Sequence, residues 1–228
     1  MTTLRMISSM ATRQVLAELT SAHEQAGGAA TVLEAVGGVD AAQRVQAGEA
    51  FDIVALASGA LAPLEAAGKT MAGSTVALVR SGVSVAVRAG AAQPDISSEE
   101  ALKSAVLKAQ TVGYSTGPSG THLLKTFERW GILETIKPRI VQATPGVPVA
   151  RLVAQGEVEL GFQQLSELLN VPGITIVGPL PPGVQIMTTF SAALATTCQQ
   201  PDGARALLAY MASPAADEAK RRQGMEPA

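Results

Sequence analysis

Short β-branched runs alternate along the chain with longer stretches whose apolar residues recur at helical spacing. Residues 4–7 read as a first strand, followed by a helix with Val15, Leu16, Leu19 and Ala22 on one face and Ser8, Ser9 and Thr12 as N-cap candidates. Residues 31–33 form a second expected strand, and the Gly37-Gly38 turn leads into a helix over 41–46, capped by Asp40 and stopped by Gly48. A buried strand over 51–57 precedes a helix that Ser58 can cap and Gly68 can end. Two strands, 75–79 and 83–88, then follow directly, separated by Arg80-Ser81-Gly82, and interrupt the alternation. The second half resumes it, with a capping box at 97–100 opening a helix over 101–109, a strand over 111–115 and a helix over 120–130. Strands over 140–143, 157–162, 175–177 and 185–190 are interleaved with short helices, and two helices close the chain after Pro201 and after Ser213-Pro214. Alternating β and α elements with short connections predict an α/β fold of two doubly wound lobes. Lobe 1 takes residues 1–81 plus 187–228, and lobe 2 takes 82–186.

The 228 residues allow one to two domains, and 47% hydrophobic against 16% charged residues is a globular composition. Lys and Arg number 17 against 19 Asp and Glu, a net charge of -2, and no basic stripe interleaves with aromatic rings. A nucleic-acid partner is thereby excluded. The single cysteine, Cys198, excludes an internal disulfide and a cysteine-based zinc site, and no metal-ligand set or cofactor fingerprint is present. The charge-free run 168–201 contains Pro172, Pro179, Pro181 and Pro182, so it reads as strands and turns rather than a membrane span. The start lacks the long apolar region and cleavage site of a secretory signal. The expected location is therefore the periplasm if a signal was removed, and otherwise the cytoplasm.

In open α/β sheets, ligands bind beyond the carboxyl ends of the strands. The segment 115–121 there combines hydroxyls of Ser115, Ser119 and Thr121 with the free amides of a helix start, which together attract an anion. Ser8-Ser9-Met10 repeats the device after the first strand, and Pro145-Gly146-Val147 offers a third. A ligand with two or three carboxylates calls for fixed cations, since desolvating one ion costs several kcal/mol and a helix terminus returns about 0.3–1 kcal/mol. Arg13, one turn into the first helix, and Arg80, ending an apolar strand, are the candidates. Gly113-Tyr114-Ser115-Thr116-Gly117 matches a nucleophile elbow, but no acid and later histidine complete a triad. Glu34, Glu167 and His122 are the candidate proton-transfer groups; His122 either faces the cleft or packs on the sheet, the second being the expected arrangement.

These segments resemble the type II periplasmic binding proteins, two doubly wound lobes joined by crossing strands, and within them the molybdate-binding-like group. The resemblance is carried by QAGEAFDIVALA (46–57), VRSGVSVAVRAG (79–90), GYSTGPSGTHLLKTFERWGI (113–132), PGVPVARLVAQGEVELGFQQLSEL (145–168) and SPAADEAKRRQGMEPA (213–228). It implies closure on a small anion and delivery to an ABC transporter permease, without a cofactor. It also implies pocket positions at Ser8, Ser9, Gly37, Gly38 and Gln164, with backbone donors at Ser119 and Val147, to which the loops after the first and third strands add Met10 and Ser58. Where the group has serines, this sequence has Ala11 and Gly37 or Gly38, which favours an organic di- or tricarboxylate over molybdate. Bacterial aconitate isomerase is similar to the same group, so the alternative is an allylic isomerase with Glu34 or His122 as its base.

Overall fold

The structure, a computed structural model, describes residues 3–228; residues 1 and 2 of the expected first lobe lie outside the described residues. The chain divides into two compact units, one running up to Ser81 and resuming from Thr188 to Ala228, the other Gly82–Met187.

In the first unit, β1 (Leu4–Ser9) lies between β2 (Thr31–Val36) and β3 (Ile53–Ala57), all parallel, and β9 (Met187–Leu194) runs antiparallel beside β3. Residue alternation supplies a core to each face. Leu4, Met6, Ile53 and Ala55 face α1 (Arg13–Gln25) and α9 (Pro201–Ala212), packing with Leu16, Leu19, Leu207 and Met211. Ile7, Val54 and Leu56 face the other way, onto Ala41 and Val45 of α2 (Gly38–Gln46) and Leu61 and Leu64 of α3 (Ser58–Ala66). Gly48 and Gly68 end α2 and α3 with φ of 87° and 67°, where a β-carbon would be strained.

The expected pair of strands around Arg80-Ser81-Gly82 is one continuous strand, β4 (Val76–Arg88). No turn forms there because Gly82 stays extended. Its missing side chain instead accommodates Gln185 and Met187, whose side-chain ends would lie 3.1 Å from a β-carbon at that position.

In the second unit, β5 (Val112–Tyr114) pairs in parallel with β6 (Ile140–Gln142) and β7 (Leu160–Gln164). The end of β4 runs antiparallel to β7 and to β8 (Ile174–Pro179). Val85, Val112, Leu160 and Phe162 pack against Leu102 and Val106 of α4 (Glu99–Lys108) and Leu123 and Phe127 of α5 (Pro118–Arg129). Ser98 caps α4 by accepting the Ala101 amide. The opposite face is covered by α7 (Val149–Gln155) through Val149 and Val153, and by Leu168 of α8 (Leu165–Leu168).

After α9, the chain ends in α10 (Asp217–Arg222) and β10 (Glu226–Pro227), the latter antiparallel to the start of β4. Among the described residues no helix is long and apolar enough to cross a membrane.

Candidate functional site

Parallel pairing decides where the chemistry collects. Because β2, β1 and β3 run the same way, the loop after β1 and the N-termini of α2 and α3 emerge at one edge of the first unit's sheet. A β-carbon on Gly38 would lie 3.6 Å from that of Ser9, so two of these loops are in contact. The hydroxyls there do not cap their helices as expected. Ser8 is fully buried and donates to the Ser9 carbonyl at 3.2 Å, while Ser9 and Thr12 share a 3.4 Å hydroxyl contact. Ser58 occupies the first position of α3 after Ala57, with its hydroxyl 2.7 Å from that of Ser191. Asp40 lies inside the first turn of α2, whose N-cap is Gly37. The helix ends themselves keep free amides toward this edge, because first-turn N–H groups have no preceding carbonyl to bond. Met10 opens a short 3-10 turn ahead of α1.

Arg13 is exposed; its backbone N–H donates to the Met10 carbonyl, and its side chain makes no hydrogen bond or ion pair among the described residues, so the guanidinium is available. Arg80 is not in the position expected of it. It alternates outward between buried Val79 and Ser81, is half-exposed, and pairs with Glu226 at 3.3 Å across the β4–β10 ladder. The burial that an apolar strand implied does not occur, because the C-terminal strand supplies a carboxylate at the surface.

Glu34 is likewise engaged. It sits two residues before the end of β2 and accepts from both terminal nitrogens of the Arg44 guanidinium, at 2.5 and 3.1 Å. Arg44 also bonds Glu49 and lies over the Phe51 ring, so its hydrogen bonds hold Glu34 below the usual carboxylate range. A carboxylate stabilised in this way is a poor proton acceptor.

In the second unit, the parallel β6-β5-β7 set sends the loops after each strand to one sheet edge. Ser115 and Ser119 hydroxyls approach at 3.5 Å across the start of α5, where Pro118 has no N–H and the Ser119 amide meets no carbonyl. Val147 departs from its expected role. Its amide donates to Thr144 at 2.9 Å, closing the 144–147 turn around Gly146. Thr121 and His122 are exposed on α5. The core-facing positions of this helix are Leu123 and Phe127, so His122 falls off that stripe and does not pack on the sheet. It lines a groove with Lys125 and Arg129 opposite the 183–187 segment.

Gln164 is buried at the end of β7. The neighbouring Gln163, which sequence spacing does not single out, links three elements. Its side-chain oxygen accepts the Ala150 amide of α7 at 3.0 Å, and its side-chain nitrogen donates to Glu167 of α8 at 2.9 Å. The signal for it is compositional, two glutamines closing an otherwise apolar strand. Burial pushes the Glu167 carboxyl up to about 7, against the opposing pull of the Gln163 hydrogen bond, and no charged side chain contributes to the shift.

The family described as bacterial extracellular solute-binding protein matches residues 4–226. An aconitate isomerase from a Pseudomonas species is 39% identical over 232 residues, covering 99% of this chain and 88% of that protein. Among solved structures, the Azotobacter vinelandii periplasmic molybdate-binding protein aligns with a TM-score of 0.81 at 18% identity, over 97% of this chain and 98% of that one. The sulfate-binding protein of Mycobacterium tuberculosis aligns with a TM-score of 0.77 at 15% identity, over 100% and 87%. The fold is thus that of the type II periplasmic binding proteins, and the chain belongs to the bacterial extracellular solute-binding protein family.

Proposed function

We propose that the chain binds a small organic polycarboxylate, with the amides and hydroxyls of the strand-end loops and the Arg13 guanidinium as its partners. The observation that carries this reading is the similarity, along 99% of the chain, to an enzyme named for a tricarboxylate. The geometry agrees: neutral donors at helix starts suit compact anions, and a free guanidinium adds the fixed charge that a multiply charged ligand needs. Under this reading the protein works outside the cytoplasm, with an ABC transporter permease as the partner that takes the ligand.

Citrate, tricarballylate and aconitate, added at about 100 times their Kd, should raise the melting temperature by several degrees through a mass-action gain of about 2.7 kcal/mol. Molybdate and sulfate should leave it unchanged; a shift with these two alone would overturn the carboxylate reading. Arg13→Ala should weaken tricarboxylate binding about ten- to hundredfold, the loss expected for a charge-assisted hydrogen bond. Arg80→Ala, which removes only a surface pair with Glu226, should leave the Kd within about twofold. Calorimetric titration of both variants measures the contrast.

A second reading is favoured by the same relative, which is an isomerase rather than a carrier. An allylic isomerase moves a C=C bond by removing a proton at one carbon and adding one two carbons away. The loop donors would then stabilise the charge that develops on the substrate carboxylate in the transition state. Interconversion of cis- and trans-aconitate, followed by proton NMR, tests it; unchanged spectra over hours with bound aconitate exclude it.

A further inference from the structure

We propose that Glu167 is the group that carries the proton in such an allylic isomerisation, with Oε2 as the atom that takes it up and returns it. The inference rests on the isomerase reading above and assigns its base.

Acids are absent from residues 10–12, 58–60, 115–117 and 143–148, the turns that follow β1, β3, β5 and β6. At the strand ends this leaves Asp40, exposed in the first turn of α2, and Glu167, in the first turn of α8 at the end of β7. Glu167 therefore shares a sheet edge with the Ser115–Ser119 pair.

Glu167 also differs from the other candidate carboxylates in its bonding. Glu34 and Glu49 are held ionised by Arg44, whereas Glu167 is partnered by a neutral amide and has no ion pair among the described residues. The Gln163 amide cannot turn over, because its oxygen is held by the Ala150 N–H; its nitrogen must donate to Glu167 Oε1 in either protonation state. Oε1 is thereby kept as an acceptor and the proton is directed to Oε2. Burial places the carboxyl at about 7, so both forms are populated near neutrality, the condition under which one group can take a proton and give it back.

The step balances without a co-reactant. The allylic C–H bond breaks as an O–H bond forms at Oε2, and the released electron pair becomes the new C=C bond to the central carbon. The pair of the original double bond then takes the proton back from Oε2 at the far carbon. No oxidation occurs, and the carboxylate is regenerated.

The test compares wild type, Glu167→Gln and Glu167→Asp with cis-aconitate as the probe. Proton NMR in D2O reads isomerisation and deuterium uptake, and thermal shift reads binding. Glu167→Gln should retain the aconitate thermal shift while losing about 100-fold or more in rate, and Glu167→Asp should recover part of it. In the wild type, the rate should rise as pH climbs through about 7. A Glu167→Gln protein that isomerises within a few-fold of wild type overturns the assignment alone. A wild type that binds aconitate without converting it overturns the isomerase reading, and the assignment with it.

Discussion

Replacing Gly120 with alanine should lower the melting temperature by about 6–12 °C or prevent folding. A β-carbon at that position would lie 1.9 Å from the Ser115 carbonyl oxygen and 2.9 Å from the Tyr114 ring. The nearer obstacle is the backbone of Ser115, the residue after β5, which cannot move aside as a flexible side chain would. Overpacking in a core costs about 1–3 kcal/mol where neighbours can yield. Here about 3 kcal/mol is the lower bound, and each kcal/mol moves the transition of a chain this size by about 2–4 °C. The same clash would force α5 away from β5 and pull Ser119 from Ser115, so the 3.5 Å contact of their hydroxyls should be lost with the stability. Gly59 provides the contrast. Nothing lies within 4 Å of its hypothetical β-carbon, so Gly59→Ala should be neutral or stabilise by about 0.4–1 kcal/mol. Calorimetric melting of the two variants measures both; equal transitions would mean that α5 does not sit against β5 at this distance.

Glu167→Gln should make the protein more stable than wild type at pH 8 and equal to it near pH 4.5. The carboxyl binds its proton up to about pH 7 in the folded chain, against an ordinary value of 4.5. Below 4.5 both states are protonated, and burial of a neutral group carries no charge penalty. Between 4.5 and 7 the unfolded chain releases the proton and the folded chain keeps it, so stability falls as pH rises, at about 1.4 kcal/mol per unit. The loss reaches on the order of 3 kcal/mol and levels off above pH 7. Glutamine, which does not ionise, removes this slope while retaining an oxygen to accept from Gln163. Urea midpoints of wild type and variant at pH 4.5, 6 and 8 give the difference directly. Parallel midpoints across that range would show that Glu167 is solvated and ionises normally.

Much of the fold was legible because its determinants are local. The alternation of Leu4, Met6 and Ile7, and of Ile53 through Ala57, assigns residues to opposite sheet faces. Glycines at 48 and 68 stop helices where a left-handed residue is needed, and Ser98 caps α4 from its own neighbourhood. The strand-end loops that carry hydroxyls and free amides followed from the same reading, since parallel pairing puts them at one edge of each sheet. The continuity of β4 through Arg80-Ser81-Gly82 was hidden. Its glycine serves a side-chain contact with residues 185 and 187, about a hundred positions away, and not a turn.

Candidate site chemistry was less legible, because the availability of a charge depends on its partner. Arg80 meets Glu226 only through an antiparallel ladder to the last strand, and Glu34 is claimed by an arginine from the following helix. The Val147 amide is consumed by its own turn, and the Ser58 hydroxyl is met by Ser191. By itself, the sequence determined the α/β order, the helix stops, the residues of each core face and the hydroxyl-bearing loops after the strands, all set by spacing along the chain. Tertiary structure alone decided that Arg13 keeps a free guanidinium while Arg80 does not, and that Glu167 is half-buried beside a neutral amide. Desolvation and ion pairing are set by whatever lies nearest in space, and those neighbours come from distant parts of the chain.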